Sequence, residues 1–260
     1  MPLVDFAHFV DDLATVSGDA ILPFFRSALA ATDKARGGVF DPVTEADRAG
    51  EAAMRQLIRR AFPHHGIVGE EFGPERAEAE YVWVLDPIDG TRAFIAGLPT
   101  WGTLIGLTRH GAPAYGLMHQ PFTAERFFGD GGSAGYRSRG GERRLRVRRC
   151  GALKDATVMT TSPRLFEGAA LAAYDRVERE ARLARYGCDC YAYCMVAAGH
   201  VDLVIEAGLK PYDIAALIPI VEGAGGIVTD WTGRPAGGGG SVVAAGDRRV
   251  HEAALRLLAA

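Results

Sequence analysis

Asp86 and Asp89 stand three residues apart in the stretch Tyr81-Val-Trp-Val-Leu-Asp-Pro-Ile-Asp-Gly-Thr91. The run Tyr81 to Leu85 is aromatic and β-branched and reads as a buried strand. Pro87 has no N–H and fixes its own φ, so the strand is expected to stop at Asp86-Pro87. Both carboxylates then sit at a strand's carboxyl end. Gly90 and Thr91 follow as a turn or helix start that can offer free N–H groups to an anion. Hard cations such as Mg²⁺ take oxygen ligands and share them with substrate phosphates, so a carboxylate pair beside an anion nest supplies both halves of such a site. The same residues also read as an ordinary Asp-Gly turn with a capping Asp. Acidic residues recur at strand ends or helix starts in three further places: Asp47, Glu70 with Glu71, and Asp213. If these places converge, their mutual repulsion calls for cations.

The elements that must position these groups follow from periodicity. Phe6, Phe9, Val10, Leu13, Val16, Ile21 and Phe24 recur at threes and fours, which reads as a helix over residues 4–30. Asp41-Pro-Val-Thr-Glu-Ala-Asp47 leads into a second helix that carries Met54, Leu57 and Ile58 and ends before Pro63. Gly66-Ile-Val-Gly69 is a short strand with Glu70-Glu71 at its end. Strands are expected over 103–108, 114–119 and 126–128, then a glycine-rich segment over 129–141. From Ala156 onward strands (158–160, 182–185, 203–205, 227–229, 242–244) alternate with helices (166–179, 190–198, 212–222, 248–258). That order suggests an α+β half over 1–150 carrying most of the acidic residues, then an α/β half over 151–260.

At 260 residues, 48% hydrophobic and 23% charged, the chain can bury a full core as a globular protein. A net charge of −3 gives no polyanion-binding footprint. The run Arg143, Arg144, Arg146, Arg148, Arg149 alternates with Leu145 and Val147, as in a strand with one solvated face, and no nucleic-acid partner is expected. No apolar stretch approaches the roughly 20 residues of a membrane span. Asp5, Asp11 and Asp12 stand where a signal peptide would be basic and then apolar, so a cytoplasmic location is expected. Cys150, Cys188, Cys190 and Cys194 include no CxxC pair, and Cys190 and Cys194 share a helix face as small packing residues.

The acidic motifs resemble those of the Mg²⁺-dependent, lithium-sensitive phosphatases of the inositol monophosphatase superfamily. The matching pieces are Asp41-Pro-Val-Thr-Glu-Ala-Asp47, Gly69-Glu-Glu71, Trp83-Val-Leu-Asp-Pro-Ile-Asp-Gly-Thr91 and Pro211-Tyr-Asp-Ile-Ala-Ala216, in family order over most of the chain. The resemblance implies a layered αβαβα sandwich of the α+β class, usually a homodimer. It implies one Mg²⁺ on Glu70, Asp86 and the Ile88 carbonyl and another on Asp86, Asp89 and Asp213, with two or three ions per active site. Gly90 and Thr91 would hold the phosphate, and Asp47 would bond Thr91 beside the attacking water. Asp47, Glu70 and Thr91 form the implied catalytic set, which suits in-line attack by water without a covalent nucleophile. Glu71 stays outside this set. Lys34 lies where the family often has a basic residue, although loop lysines are ordinarily just solvated.

After Thr91 the chain departs from the usual inositol phosphatase pattern, with Arg92-Ala-Phe94 in place of Thr-Asn-Phe. Together with Tyr186-Gly-Cys-Asp-Cys-Tyr-Ala-Tyr193 and Ala198-Gly-His-Val-Asp-Leu203, this resembles the histidinol-phosphate phosphatase branch and implies hydrolysis of L-histidinol phosphate in histidine biosynthesis. Such a substrate carries an ammonium and an imidazole, and its pocket needs carboxylates. Asp189 and Glu206 are the candidates, against a helix cap for Asp189 and a rim charge for Glu206. Arg92 either neutralises phosphate or pairs with an acid. His200 is given no catalytic role. The competing readings are the same chemistry on inositol 1-phosphate or another small phosphomonoester, and a metal-binding regulatory homologue without activity.

Overall fold

The apolar spacing at the start of the chain builds helix α1 (Leu3–Ile21), with Phe6, Val10, Leu13 and Ile21 buried along it. It is shorter than the 4–30 expected, because Pro23 has no N–H to continue the ladder and the chain leaves through one 3₁₀ turn at Leu22–Phe24. The computed structural model describes residues 3–27, 31–33 and 42–260; Lys34 and Asp41 lie outside them. Strand β1 (Ala31–Asp33) pairs antiparallel with β2 (Pro42–Thr44), which passes directly into α2 (Glu45–Ala61). Then come β3 (Gly66–Gly69), β4 (Gly73–Glu75), β5 (Tyr81–Asp89) and the short helix α3 (Thr91–Ile95). A meander of β6 (Gly102–Arg109), β7 (Ala112–Gln120), β8 (Glu125–Gly129), β9 (Ala134–Ser138) and β10 (Gly141–Arg144) completes the first half. β3 to β10 form one eight-stranded sheet in the order β10-β9-β8-β7-β6-β5-β3-β4, antiparallel except for β3 beside β5.

The second half runs β11 (Thr157–Thr160), α4 (Gly168–Glu180), β12 (Leu183–Tyr186), α5 (Asp189–Ala197) and β13 (Leu203–Leu209). It continues with α6 (Pro211–Ile214), α7 (Leu217–Gly223), β14 (Ile227–Asp230), β15 (Gly240–Ala245) and α8 (Arg248–Ala259). Its sheet has the order β12-β11-β13-β15-β14. Three apolar clusters stack the layers. Phe6, Leu13, Met54 and Ile58 seal α1 and α2 onto Trp83 and Ile105 of the large sheet. Leu104, Met118 and Phe127, from its other face, meet Cys190, Cys194 and Ile220 of α5 and α7 and Val204 and Val242 of the small sheet. Tyr174 and Val177 of α4 and Val250 and Ala254 of α8 cover that sheet's outer face, against Val158 and Leu203. The result is a layered αβαβα sandwich of the α+β class.

Three further expectations need correction. The basic run is strand only as far as Arg144; from there Leu145 drops into the core and donates its N–H to Ala134, and Arg148 turns to pair with the buried Asp202. The expected helix over 212–222 is two helices, because Pro219 lacks the N–H that a continuous helix would bond to Ala215. Finally, Pro87 does not end β5: the strand runs on to Asp89 through an irregularity.

Candidate active site

That irregularity creates the site. Asp86 lies opposite Leu104 and Asp89 opposite Gly102, so three residues of β5 advance against two of β6. In a regular strand, residues three apart point to opposite faces; the extra residue of a bulge turns Asp89 back to the side of Asp86. Pro87 occupies the bulge, where its missing N–H breaks no ladder bond. The Pro87 carbonyl released there accepts the buried Thr103 hydroxyl at 2.8 Å. Asp86 Oδ1 accepts the Ile88 N–H at 3.1 Å, which fixes the rotamer.

Asp213 comes from the other half of the chain, in the first turn of α6, where its Oδ2 accepts the Lys210 N–H at 2.7 Å. Asp86, Asp89 and Asp213 each bring one carboxylate oxygen to within 4.8 Å of the others. Burial pushes Asp86 well above the usual carboxylate range, and the charges of Glu70, Asp89, Asp213 and Asp47 push it further. Charges from all four acidic places thus act on Asp86, and two of those places meet directly through Asp86, Asp89 and Asp213. Asp89 is likewise held well above its ordinary value by burial and by Asp189 and Asp213, and Asp213 rises to about 6 chiefly through burial. Asp86, Asp89 and Asp213, all three held above their ordinary range, together with the charges of Glu70 and Asp47 on Asp86, make a set of hard oxygen donors that suits a divalent cation such as Mg²⁺.

The other members are placed by short-range geometry. Asp47 is 2% exposed in the first turn of α2. Glu70 follows β3 and extends its pairing, with its N–H on the Leu85 carbonyl at 3.2 Å. The turn after it hangs from buried Glu51 of α2, whose carboxylate accepts the Glu71 N–H at 2.7 Å and the Phe72 N–H at 3.2 Å. Glu51 occupies the space where a side chain on Gly69 would stand: a Cβ there would meet Oε1 at 2.0 Å. Gly90 begins α3 at φ +86°, and a Cβ on it would crowd the Thr100 carbonyl oxygen at 3.2 Å. The leading N–H groups of α3 have no carbonyl within the helix to bond. The Thr91 hydroxyl donates to the Ile88 carbonyl at 3.1 Å, and that carbonyl keeps a second lone pair.

A cleft of about 300 Å³ is lined by Asp89, Gly90, Thr91 and Arg92 together with Thr161, Asp189, Glu206 and Asp213. Asp189 does not cap α5. It is the first residue of that helix, at φ +42°, and the cap bond comes from Asp89, whose Oδ2 accepts the Cys190 N–H at 2.6 Å. Burial raises Asp189, opposed by a hydrogen bond from the Thr161 side chain and by the charge of Arg92. Arg92 is exposed and its charge acts on an acid. Glu206 is not a rim charge: it is 2% exposed, just before a second bulge, on β13 between Glu206 and Leu209. Its Oε1 accepts the Thr161 N–H at 2.5 Å and its Oε2 the Thr160 hydroxyl at 3.2 Å. Burial lifts it to about 7.

Glu51 and Thr161 shape this site without a motif of their own. Glu51 had a signal, one helical turn beyond Asp47 on the same face; a threonine just past a strand's end has none. Cys190 and Cys194 are packed in the core between the sheets, and His200 is exposed beyond the end of α5. No described helix is long and apolar enough to cross a membrane.

The profile of the inositol monophosphatase family matches residues 5–260. The bifunctional phosphatase IMPL2, chloroplastic, of Arabidopsis thaliana is 46% identical over 97% of this chain and 75% of its own length. The histidinol-phosphatase of Mycobacterium tuberculosis is 37% identical over 83% of this chain and 84% of its own. Among solved structures, an inositol monophosphatase from Zymomonas mobilis superposes with a TM-score of 0.90 at 42% identity, over 100% of both chains.

Proposed function

This chain belongs to the inositol monophosphatase family, a family of metal-dependent phosphatases, and from that premise we propose that it hydrolyses L-histidinol phosphate to L-histidinol and phosphate, as a step of histidine biosynthesis. The observation that carries the substrate reading is the presence of Asp189 and Glu206 in the same cleft as Gly90, Thr91 and the acidic cluster. A substrate with phosphate at one end and an ammonium and imidazole at the other meets both requirements of that cleft. Relatives named histidinol-phosphatase support the reading.

Glu70, Asp86, Asp89, Asp213 and the Ile88 carbonyl would hold the cations. When bound, Mg²⁺ lowers the pKa of water and offsets the charge of the phosphate oxygens. The N–H groups of Gly90 and Thr91 receive the phosphate. Asp47, Glu70 and Thr91 orient the water in line with the ester bond; the Asp47 or Glu70 carboxylate takes its proton as the ester P–O bond breaks, and the departing alcohol oxygen is protonated in turn. Glu206 and Asp189 face the cationic end, whose charge favours their ionised forms over the neutral forms that burial favours.

The test is kcat/KM for histidinol phosphate and for inositol 1-phosphate on the wild type, Asp189→Asn and Glu206→Gln, with Mg²⁺ and with chelator. A hydrogen bond to a charged group is worth about 1.5–3 kcal/mol, so each substitution should cost the cationic substrate roughly tenfold to a hundredfold and the neutral one little. Equal losses on both substrates would assign these acids to the fold or the cations. Inositol 1-phosphate is the second reading, favoured by the likeness to the Zymomonas mobilis protein, and a wild-type preference for it overturns the histidinol assignment. Phosphate release from neither substrate would leave another small phosphomonoester or a metal-binding regulatory homologue.

A further inference from the structure

Tyr193 lies one turn beyond Asp189 on α5, so the two side chains share a face of that helix. It is 3% exposed, and its hydroxyl has no hydrogen-bond partner among the described residues. The ring is anchored in the core between the sheets, in one cluster with Val204 and Ile214. Val204 is two residues before Glu206 on β13, on the same strand face, and Ile214 adjoins Asp213. The ring thus packs in the core layer that backs these acids, and Glu206, Asp89 and Asp213 are near enough for their charges to act on its hydroxyl. Burial, followed by the charges of Glu206, Asp89 and Asp213, raises the phenol well above its ordinary value and keeps it a donor.

A buried hydroxyl without a partner costs free energy, and phenylalanine would fill the same space without that cost. We propose that Tyr193 is a positioning residue that engages when the site holds a divalent cation, its hydroxyl donating to a carboxylate oxygen of Asp89, Asp213 or Glu206 or to a water those carboxylates hold. This rests on the metal-dependent reading above. The hydroxyl orients the acids from behind and does not touch the phosphoester.

The experiment is thermal unfolding of the wild type, Tyr193→Phe and Tyr191→Phe, in chelator and across a Mg²⁺ titration. Tyr191 is the control, because its hydroxyl donates to Glu125. In chelator, Tyr193→Phe should melt at or above the wild-type temperature, since it removes an unsatisfied group. Its Mg²⁺-dependent rise should be smaller, and reaching half of that rise should take about tenfold more Mg²⁺, the equivalent of one hydrogen bond to a charged group. Tyr191→Phe should be destabilised to the same extent with and without Mg²⁺. An unchanged Mg²⁺ response in Tyr193→Phe overturns the inference, as does a lower melting temperature in chelator, which would reveal a fixed structural partner. A wild type whose melting ignores Mg²⁺ would overturn the metal reading itself, so the two failures are distinct.

Discussion

Glu51→Gln isolates the clamp on the turn that presents Glu70. Glu51 is fully buried, and its two oxygens accept three N–H groups: Oε1 takes Arg55 Nε at 2.7 Å and the Phe72 amide, and Oε2 takes the Glu71 amide. Glutamine has the same shape but only one acceptor oxygen. With that oxygen toward Arg55, its NH₂ confronts the Glu71 N–H, donor against donor, and one bond to a charged acceptor worth about 1.5–3 kcal/mol is lost. In either orientation the Arg55 guanidinium, whose side chain is only 4% exposed, loses its buried counter-charge and keeps the more exposed Glu75 at 3.7 Å. Removing one partner of a buried pair costs about 3–5 kcal/mol, and because Glu75 remains and the two terms overlap, a total of about 3 kcal/mol is expected. Out of the 5–15 kcal/mol typical of a domain, that is large but survivable. Urea unfolding measures it. Because the released amide is next to Glu70, the Mg²⁺ concentration for half-maximal phosphate release should also rise. A loss below about 1 kcal/mol with an unchanged Mg²⁺ requirement would refute the claim that Glu51 holds this turn.

Asp86→Asn removes the charge shared across the acidic cluster while keeping its size; turnover should fall below detection while the melting temperature in chelator stays the same or rises, because four neighbouring acids lose a repulsive partner. Activity near wild type would refute the assignment. His119 is held neutral in the fold: burial, then the charge of Arg126, lowers it from 6.5 to about 4. The unfolded chain takes up its proton first as pH falls, so this contribution is intact above 6.5 and is lost between 6.5 and about 4. The shift corresponds to about 3 kcal/mol at most, and His119→Gln should flatten the wild-type stability profile across that window; parallel profiles would refute it.

The acidic motifs and most elements were legible because they are local. Tyr81 to Leu85 could be read as a buried strand from side-chain type alone, and α2 from Met54, Leu57 and Ile58. What escaped depends on register or on partners distant in sequence. Pro87 read as a strand end, because the pattern cannot reveal that β6 holds the chain on both sides of the bulge. Arg143 to Arg149 alternates as a strand would, yet Leu145 is taken by the core and Arg148 by Asp202, 54 residues away. Glu206 read as a substrate contact, with a rim charge as the alternative, and no local signal shows that it is buried and held by Thr160, which ends the neighbouring strand, and by Thr161 just beyond it.

The same long-range bonds explain why residues from both halves can form one site. Asp89 belongs to the large sheet, yet its Oδ2 caps α5, the helix that begins with Asp189 and carries Tyr193. Asp213 is tied by its own capping bond to the Lys210 N–H, at the end of the strand that bears Glu206. Each bulge adds one residue to a strand, on β5 after Asp86 and on β13 after Glu206, and the cleft lies along both. The acids repel one another, so their approach must be enforced by structure that does not itself depend on the charge. The core between the sheets does this, by packing α5 and α7 against both. The strain of the clustered carboxylates is thereby carried by apolar burial, which leaves the oxygens positioned for a cation rather than relaxed away from one another.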